Sequence, residues 1–301
     1  MESSESLALK VVNESLKLPL VKVNRSEFLV KAFGEKVENI DQLIEKGPQA
    51  FLSKEKLDQV ADSRIHSIVA QSSTLSFATG LPGGLAMAAT IPADITQFYG
   101  YSLKLAQEIS YIYGYKDIWN QQGELTEEAK ETLILYLGIM LGVTTAGSAV
   151  RILSGKLSTQ ALTKIPQKAM TKTIYYPVIK KVLSIFGTKL TKTTFAKGVS
   201  KAVPVVGGVV SGSLNYFSMK PMAKRLKNEL RKGLDYSEEN LKEDLIILQD
   251  EEVTITDSNS SKSMVEDENL IEQIEKAYEL LKQKIITEEE FMVIKKRLLS
   301  K

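Results

Sequence analysis

The stretch Phe77-Ala-Thr-Gly-Leu-Pro-Gly-Gly-Leu-Ala-Met-Ala-Ala-Thr-Ile-Pro92 belongs to a run, residues 65–93, that contains no Asp, Glu, Lys or Arg. Two further uncharged runs follow, at 132–150 and 202–219. An apolar span of about 18 or more residues is long enough to be considered for a membrane helix. The run 132–150 also contains Gly, Thr, Ser and Tyr, which make its insertion marginal, so we expect it to be buried among other helices.

Helical periodicity elsewhere predicts an all-α fold. Residues 93–113 form one predicted helix, and residues 125–153 form another, with Thr126 as its N-cap. Between 156 and 201, lysines recur among aliphatic residues, which predicts basic amphipathic helices. The breaks between these helices are expected near Pro166, Pro177 and Gly187. The predicted fold is a multi-helix bundle with Gly-rich apolar helices and a C-terminal two-helix hairpin.

Changes in composition divide the chain into four predicted parts. Residues 1–60 are predicted to form short amphipathic helices that belong to the core or pack on it, and residues 61–234 the helical core. Residues 235–267 are acidic and polar, which predicts a flexible linker. Residues 268–301 are predicted to form a helical hairpin, which is too small to bury much surface alone and is expected to pack on a partner.

Charge is strongly segregated, although the net charge is only +2. Residues 1–150 carry 13 basic and 18 acidic side chains, and residues 233–301 carry 9 basic and 18 acidic ones. Residues 151–232, the basic block, carry 17 basic side chains and one acidic side chain, Glu229. The basic block therefore implies an anionic partner, which is a phospholipid surface, a nucleic acid or the acidic ends of the same chain.

The composition of the basic block favours a lipid surface over nucleic acid. Tyr175, Tyr176, Phe186 and Phe195 could stack on bases, but only three of the 17 basic residues are Arg, the residue most suited to reading phosphates. Lysines on one face of a helix and aliphatic residues on the other are typical of an interfacial membrane helix. The predicted lipid-binding residues are Lys180, Lys181, Lys220, Lys224, Arg225, Lys227 and Arg231.

The familiar catalytic and cofactor-binding patterns are missing from the sequence. The chain has no Cys and a single His, His66, which excludes thiolate sites and the usual zinc ligand sets. Asp62 and Ser63 precede His66, but no Gly-x-Ser-x-Gly motif or phosphate-binding loop is present, so His66 is interpreted as a structural residue on a helix surface. The glycines at 80–84 are interpreted as a sharp turn between helices. We therefore predict no catalytic residue, no metal site and no cofactor.

Polar residues recur along one side of the predicted helix 93–113. Lys104 and Glu108 lie about 80° and 40° from Asp94 around the helix axis. Buried charges must pair or form hydrogen bonds, so a network that joins this helix to a neighbour is the favoured interpretation. A solvated surface stripe and a functional polar pocket are the alternatives. The predicted polar network consists of Asp94, Gln97, Tyr101, Lys104 and Glu108.

Glycines at four-residue spacing occur in all three uncharged runs. Small residues at this spacing permit close contact between helices in lipid, and also in soluble cores. The spacing therefore predicts close helix packing but does not distinguish the two environments. The three pairs are Gly80/Gly84, Gly138/Gly142 and Gly208/Gly212.

Several motifs resemble the EcsC family of bacterial proteins over residues 30–235. They are Thr79-Gly-Leu-Pro-Gly-Gly, Ile91-Pro-Ala-Asp94, the ending Ala106…Tyr113-Gly-Tyr115, and Val203-Pro-Val-Val-Gly-Gly-Val-Val-Ser-Gly before the helix that contains Asn215. The family is named for a protein encoded beside an ABC exporter. The resemblance therefore implies a bacterial origin but no defined reaction.

The end of the chain resembles a second family, the short C-terminal domain called SHOCT. The segment that carries this resemblance is Leu280-Leu-Lys-Gln-Lys-Ile-Ile-Thr-Glu-Glu-Glu-Phe-Met-Val-Ile-Lys-Lys-Arg-Leu-Leu299. Lys284 stands where that family usually has Gly, so the turn between the two helices is expected to differ. The resemblance implies a role in assembly and a link to bacterial membrane proteins.

Together these features predict a non-enzymatic, cytoplasmic bacterial protein that attaches to, or conditionally inserts in, the inner face of the cell membrane. It would bind anionic lipid through the basic block, and assemble with itself or with a protein partner through residues 268–301. One alternative is a hydrolase with a polar pocket around Asp94, Lys104 and Glu108. Another is a soluble helical protein-interaction module.

Overall fold

The computed structural model describes residues 3–79, 93–120, 122–154, 172–200 and 207–257. The regular structure of these residues is helical, which confirms the predicted all-α fold. They form ten α-helices, namely α1 (Ser4–Leu16), α2 (Arg25–Phe33), α3 (Ile40–Lys46), α4 (Lys54–Thr79), α5 (Ala93–Ile112), α6 (Glu127–Leu141), α7 (Thr144–Leu153), α8 (Lys172–Ser200), α9 (Gly207–Lys232) and α10 (Glu238–Asp257). The predicted turn at 80–84, the predicted break at Pro166 and the predicted hairpin 268–301 lie outside the described residues.

The boundary between α6 and α7 follows from two residues. The hydroxyl of Thr126 accepts a hydrogen bond from the backbone N–H of Ala129 at 3.2 Å, which confirms the predicted N-cap of α6. Gly142 ends α6 in the left-handed conformation, with φ 90°, which residues with a Cβ adopt only with strain. Because α7 starts separately at Thr144, the prediction of one continuous helix over 125–153 is wrong.

Helix α8 continues through Pro177 and Gly187, so the helix breaks predicted at these two residues are wrong. Pro177 has no N–H and removes one hydrogen bond from the helix. Burial of one continuous apolar stripe along α8, which packs on α6, outweighs that loss. The stripe consists of Tyr175, Val178, Ile179, Val182, Leu183, Phe186 and Leu190. Gly187 has a different role, because it admits the backbone of α1 at Ser4.

The uncharged run 132–150 lies in the core, as expected from its sequence. Residues 133–141 of α6 and 145–150 of α7 are buried. Gly138 allows close contact of α6 with its neighbours, because a Cβ at this position would lie 3.0 Å from the Cβ of Ala146 and closer still to Val182. A Cβ added at Gly142 would meet no atom within 4 Å. Only the first member of the predicted Gly138/Gly142 pair therefore mediates helix contact.

Helix α9 runs antiparallel to α4. Asp58 of α4 binds Arg231 of α9, and Asp62, four residues later in α4, binds Lys227, four residues earlier in α9. Extending this register by helical turns brings the last turns of α4 beside the first turns of α9. The two helices therefore share one end of the bundle.

Helix α5 is also antiparallel to α4. Asp58 near the start of α4 binds Tyr113, just after the end of α5, whereas Arg64 further along α4 binds Glu108. The end of α4 and the starts of α5 and α9 therefore meet. Three segments at this end of the bundle contain no Asp, Glu, Lys or Arg. They are residues 65–79 of α4, 95–103 of α5 and 207–219 of α9.

Residues 1–252 form one compact unit, and residues 253–301 form a second. The predicted N-terminal helices of residues 1–60 belong to the first unit. The prediction of a flexible linker over 235–267 is wrong where α10 forms, because Leu241, Asp244 and Leu248 recur at helical spacing and are buried. The acidic composition of 235–267 predicted a segment exposed to solvent, but α10 buries one face, on which Asp244 binds Arg151. Of the second unit, the described residues include only the last turn of α10.

Candidate functional site

Four basic residues follow one face of α9 at spacings of four, three and four residues. This α9 basic stripe consists of Lys220, Lys224, Lys227 and Arg231, all of them predicted lipid-binding residues. Lys224 is exposed and Lys220 is partly exposed. Lys227 and Arg231 form ion pairs with α4.

The ion pairs of Lys227 and Arg231, called the α4–α9 zipper below, involve two carboxylates of α4. Arg231 Nε donates to the two oxygens of Asp58 at 3.0 and 2.8 Å, and Lys227 Nζ lies 2.8 Å from Asp62 Oδ2. The Tyr113 hydroxyl donates to Asp58 at 2.7 Å. Burial alone would raise the pKa of Asp58, but the hydrogen bonds from Tyr113 and Arg231 bring it below its ordinary value. The zipper ends at Asp62, since the rest of α4 contains no acidic residue.

A second group of basic side chains meets at the C-terminal end of α6. Lys189 Nζ of α8 donates to the carbonyl oxygen of Leu141 at 3.0 Å, and Arg225 of α9 donates to that of Met140 at 3.3 Å. The last carbonyls of a helix carry partial negative charge, so the two cations stabilise this end. Burial and the neighbouring Arg225 lower the pKa of Lys189. Sequence reasoning missed Lys189, because nothing in the spacing of the lysines in α8 distinguishes it.

The two predicted lipid-binding lysines of α8 lie near its first turns. Lys180 is exposed, and its Nζ lies 5.2 Å from the ring centre of the exposed Tyr176, a cation–π distance. Lys181 is partly exposed. They precede Lys189 by about two helical turns. The predicted lipid-binding residues therefore form separate groups on α8 and α9.

Glu108 of the predicted polar network binds Arg64 of α4, a residue that sequence reasoning did not include. The Arg64 guanidinium donates to both carboxylate oxygens of Glu108 at 2.7 to 2.9 Å. Only 3% of the Glu108 side chain is exposed. Burial raises the pKa of Glu108, while the positive charge of Arg64 opposes this shift and Lys104 adds to the opposition. Because Arg64 engages both oxygens, Glu108 anchors α5 to α4 and is not held as a free acid or base.

The other members of the predicted polar network contribute less to this contact. Lys104, Gln97 and Tyr101 are partly exposed. Among the described residues, Gln97 Nε2 is buried without a hydrogen-bond partner. The side chain of Asp94 lies outside the described residues, and so does its predicted coupling to Lys104.

A buried charged cluster joins α7, α9 and α10. Arg151 donates two hydrogen bonds to Asp244, at 2.9 and 2.6 Å, and one to Glu229 at 2.6 Å. Tyr236 donates to Asp244 at 2.8 Å. Only 11% of the Arg151 side chain and 4% of the Asp244 side chain are exposed. Burial alone would raise the pKa of Asp244, but hydrogen bonds from Arg151, Ser148 and Tyr236 hold it below its ordinary value.

His66 is exposed, and Asp62, four residues before it, binds Lys227. Within the described part of the chain, no three His, Asp or Glu side chains are grouped so that they could hold a metal ion. None of the described helices has both the length and the apolar character needed to cross a bilayer.

No family model matches the chain, and neither a curated protein nor a solved structure matches it. The function of the protein is therefore inferred from its own side chains and their arrangement.

Proposed function

We propose that the protein is a non-enzymatic helical protein that attaches to an anionic membrane surface, at the inner face of the cell membrane. The observation that carries this proposal is the position of Lys220 and Lys224, which lie one turn apart on α9 directly after its uncharged segment 207–219. A membrane offers the matching order of chemistry, because anionic headgroups border an apolar interior.

Two further basic side chains are bound to the end of α6 and are not counted in this attachment. Arg225 follows Lys224 in α9, and it meets Lys189 of α8 at the end of α6. Each Lys or Arg near an anionic membrane contributes about 1 kcal/mol of binding free energy, and salt screens this contribution. Lys227 and Arg231 are not counted in this attachment, because Asp62 and Asp58 already neutralise them.

The experiment that tests this proposal measures sedimentation of the full chain with lipid vesicles. Lys220→Gln/Lys224→Gln is expected to weaken binding to vesicles of phosphatidylglycerol and phosphatidylcholine by about 25-fold at low salt, about fivefold for each lost cation. Raising the salt concentration should reduce the difference. Vesicles of phosphatidylcholine alone should bind neither protein.

The matched control is Lys46→Gln/Lys56→Gln, which removes two exposed lysines of α3 and α4. Lys56 lies in the first turn of α4, at the other end from segment 65–79. This control should retain most of the binding. Equal loss in both double variants, or equal binding to neutral and anionic vesicles, would contradict attachment through α9.

Two further proposals rest on the resemblances in the sequence. The first is that residues 30–235 belong to the EcsC family. The second is that residues 268–301 form a SHOCT-like hairpin, through which the protein associates with itself or with a protein partner. Both agree with a membrane-linked bacterial protein, and light scattering of the full chain would measure self-association directly.

A further inference from the structure

The α9 basic stripe is divided in two by the carboxylates of α4. We propose that the α4–α9 zipper is an autoinhibitory contact, in which Asp58 and Asp62 compete with lipid phosphates for Arg231 and Lys227. In this arrangement α4 holds Lys227 and Arg231, and release of the zipper adds these two cations to the surface that binds lipid. The inference rests on the function proposed above and assigns a regulatory role to α4.

The geometry allows such an exchange of partners. Lys227 and Arg231 continue the line of Lys220 and Lys224 on one helix face, so a surface that binds the first pair also lies along the second. The Asp62 side chain is 58% exposed and the Arg231 side chain is 38% exposed. Lys227 and Asp58 are less exposed, at 12% and 23%, so a headgroup would reach the zipper first at Arg231 and would bind Lys227 once its side chain has left Asp62.

A lipid phosphate and a carboxylate bind these cations through similar interactions. A lipid phosphate offers a guanidinium or an ammonium group the same charge-assisted hydrogen bonds as a carboxylate does. Ion pairs between partly exposed side chains contribute little to stability, so the protein loses little when one anion replaces another. The apolar contacts between α4 and α9 hold the helices together meanwhile, since Leu57, Ala61, Leu226 and Leu230 are buried.

Asparagine substitutions remove the competing charges with little change of shape. Asp58→Asn keeps an oxygen that can accept the hydrogen bond from Tyr113, and Asp62 is exposed enough to tolerate the change. Asp58→Asn/Asp62→Asn is expected to bind phosphatidylglycerol-containing vesicles about 25-fold more tightly than the unmodified chain at low salt, since two cations are released. Asp62→Asn alone should give about a fivefold gain, and it provides the test if the double variant does not fold.

A second pair of substitutions separates release of the zipper from a simple change in net charge. In the Asp58→Asn/Asp62→Asn background, Lys227→Gln/Arg231→Gln should weaken binding about 25-fold, whereas Lys46→Gln/Lys56→Gln, which removes two lysines outside the stripe, should weaken it less than about threefold. Glu38→Gln/Glu45→Gln, which neutralises two exposed carboxylates outside the zipper, is the control and should raise binding by less than about threefold.

Each outcome decides a different question. If Lys227→Gln/Arg231→Gln and Lys46→Gln/Lys56→Gln weaken binding of the Asp58→Asn/Asp62→Asn variant equally, the autoinhibitory role is wrong even when the chain binds anionic vesicles through Lys220 and Lys224. If the control raises binding as much as Asp58→Asn/Asp62→Asn does, net charge alone accounts for the gain and the zipper has no role. If neither the chain nor any variant binds anionic vesicles, the proposed function fails together with the inference.

Discussion

Replacing Arg151 with Met should destabilise the protein more than any change to an exposed ion pair. Arg151→Met keeps most of the side-chain length but leaves Asp244 without the guanidinium that donates to both of its oxygens. Removing one partner from a buried ion pair costs about 3–5 kcal/mol, because the remaining charge has lost both water and its partner. Asp244, with 4% of its side chain exposed, meets that condition.

The expected loss converts to a measurable change in melting temperature. For chains of 150–250 residues, each kcal/mol lowers the melting temperature by about 2–4 °C, so Arg151→Met should lower it by about 6–20 °C. Urea titration followed by circular dichroism at 222 nm gives the free energy directly. Arg151→Met/Asp244→Asn should recover part of the loss, since it also removes the stranded charge.

Two controls define what would refute this reasoning. Lys17→Met removes the cation of an exposed pair with Glu14, in which both side chains are at least 43% exposed, and should cost less than about 1 kcal/mol. Hydrogen exchange should locate the effect, with amides near Asp244 in α10 exchanging faster in Arg151→Met than in the unmodified chain. If Arg151→Met costs no more than Lys17→Met, Arg151 does not hold α10 on the core.

Two further predictions concern the buried carboxylates Asp244 and Glu108. Because the pKa of Asp244 is lower in the folded than in the unfolded chain, its stabilising effect is complete above about pH 5 and is lost as the pH falls through the folded value. Thermal melts from pH 7 to pH 3 should therefore fall less steeply for Asp244→Asn, and parallel curves would contradict this. Arg64→Met should lower the free energy of unfolding in urea more than Glu108→Gln does. The first change leaves an unpaired carboxylate that is 3% exposed, whereas the second leaves an unpaired guanidinium that is 26% exposed. Equal losses of free energy would show that burial does not set the difference.

Local sequence chemistry predicted those parts of the fold that depend on neighbouring residues. The Thr126 cap and the helix 93–113 were correctly identified from side chains within a few positions of each helix. The errors occurred where tertiary contacts override local preference. Pro177 lies inside α8 because the buried stripe of that helix extends across it, and Gly142 divides a run that is uncharged throughout.

The ion pairs were harder to predict, because their partners are far apart in the sequence. Arg64 and Glu108 are separated by 44 residues, and Arg151 and Asp244 by 93. One signal was available, since Glu229 is the single acidic residue of the basic block and binds both Arg151 and Lys232. An isolated charge in a segment of opposite sign, or at the edge of an uncharged run as with Arg151, indicates a specific partner but does not identify it.

The antiparallel pairing of α4 with α9 also sets the order in which the protein can be assembled during translation. Asp58 and Arg231 are 173 residues apart, so α4 can pack on α9 only after most of the chain has been made. At a synthesis rate of about 5–20 residues per second, this interval lasts about 10–35 s. For most of this interval the uncharged segment 65–79 has been made, whereas α9, which packs on α4, has not. A nascent chain in this state is suited to early capture by a chaperone or by a membrane close to the ribosome.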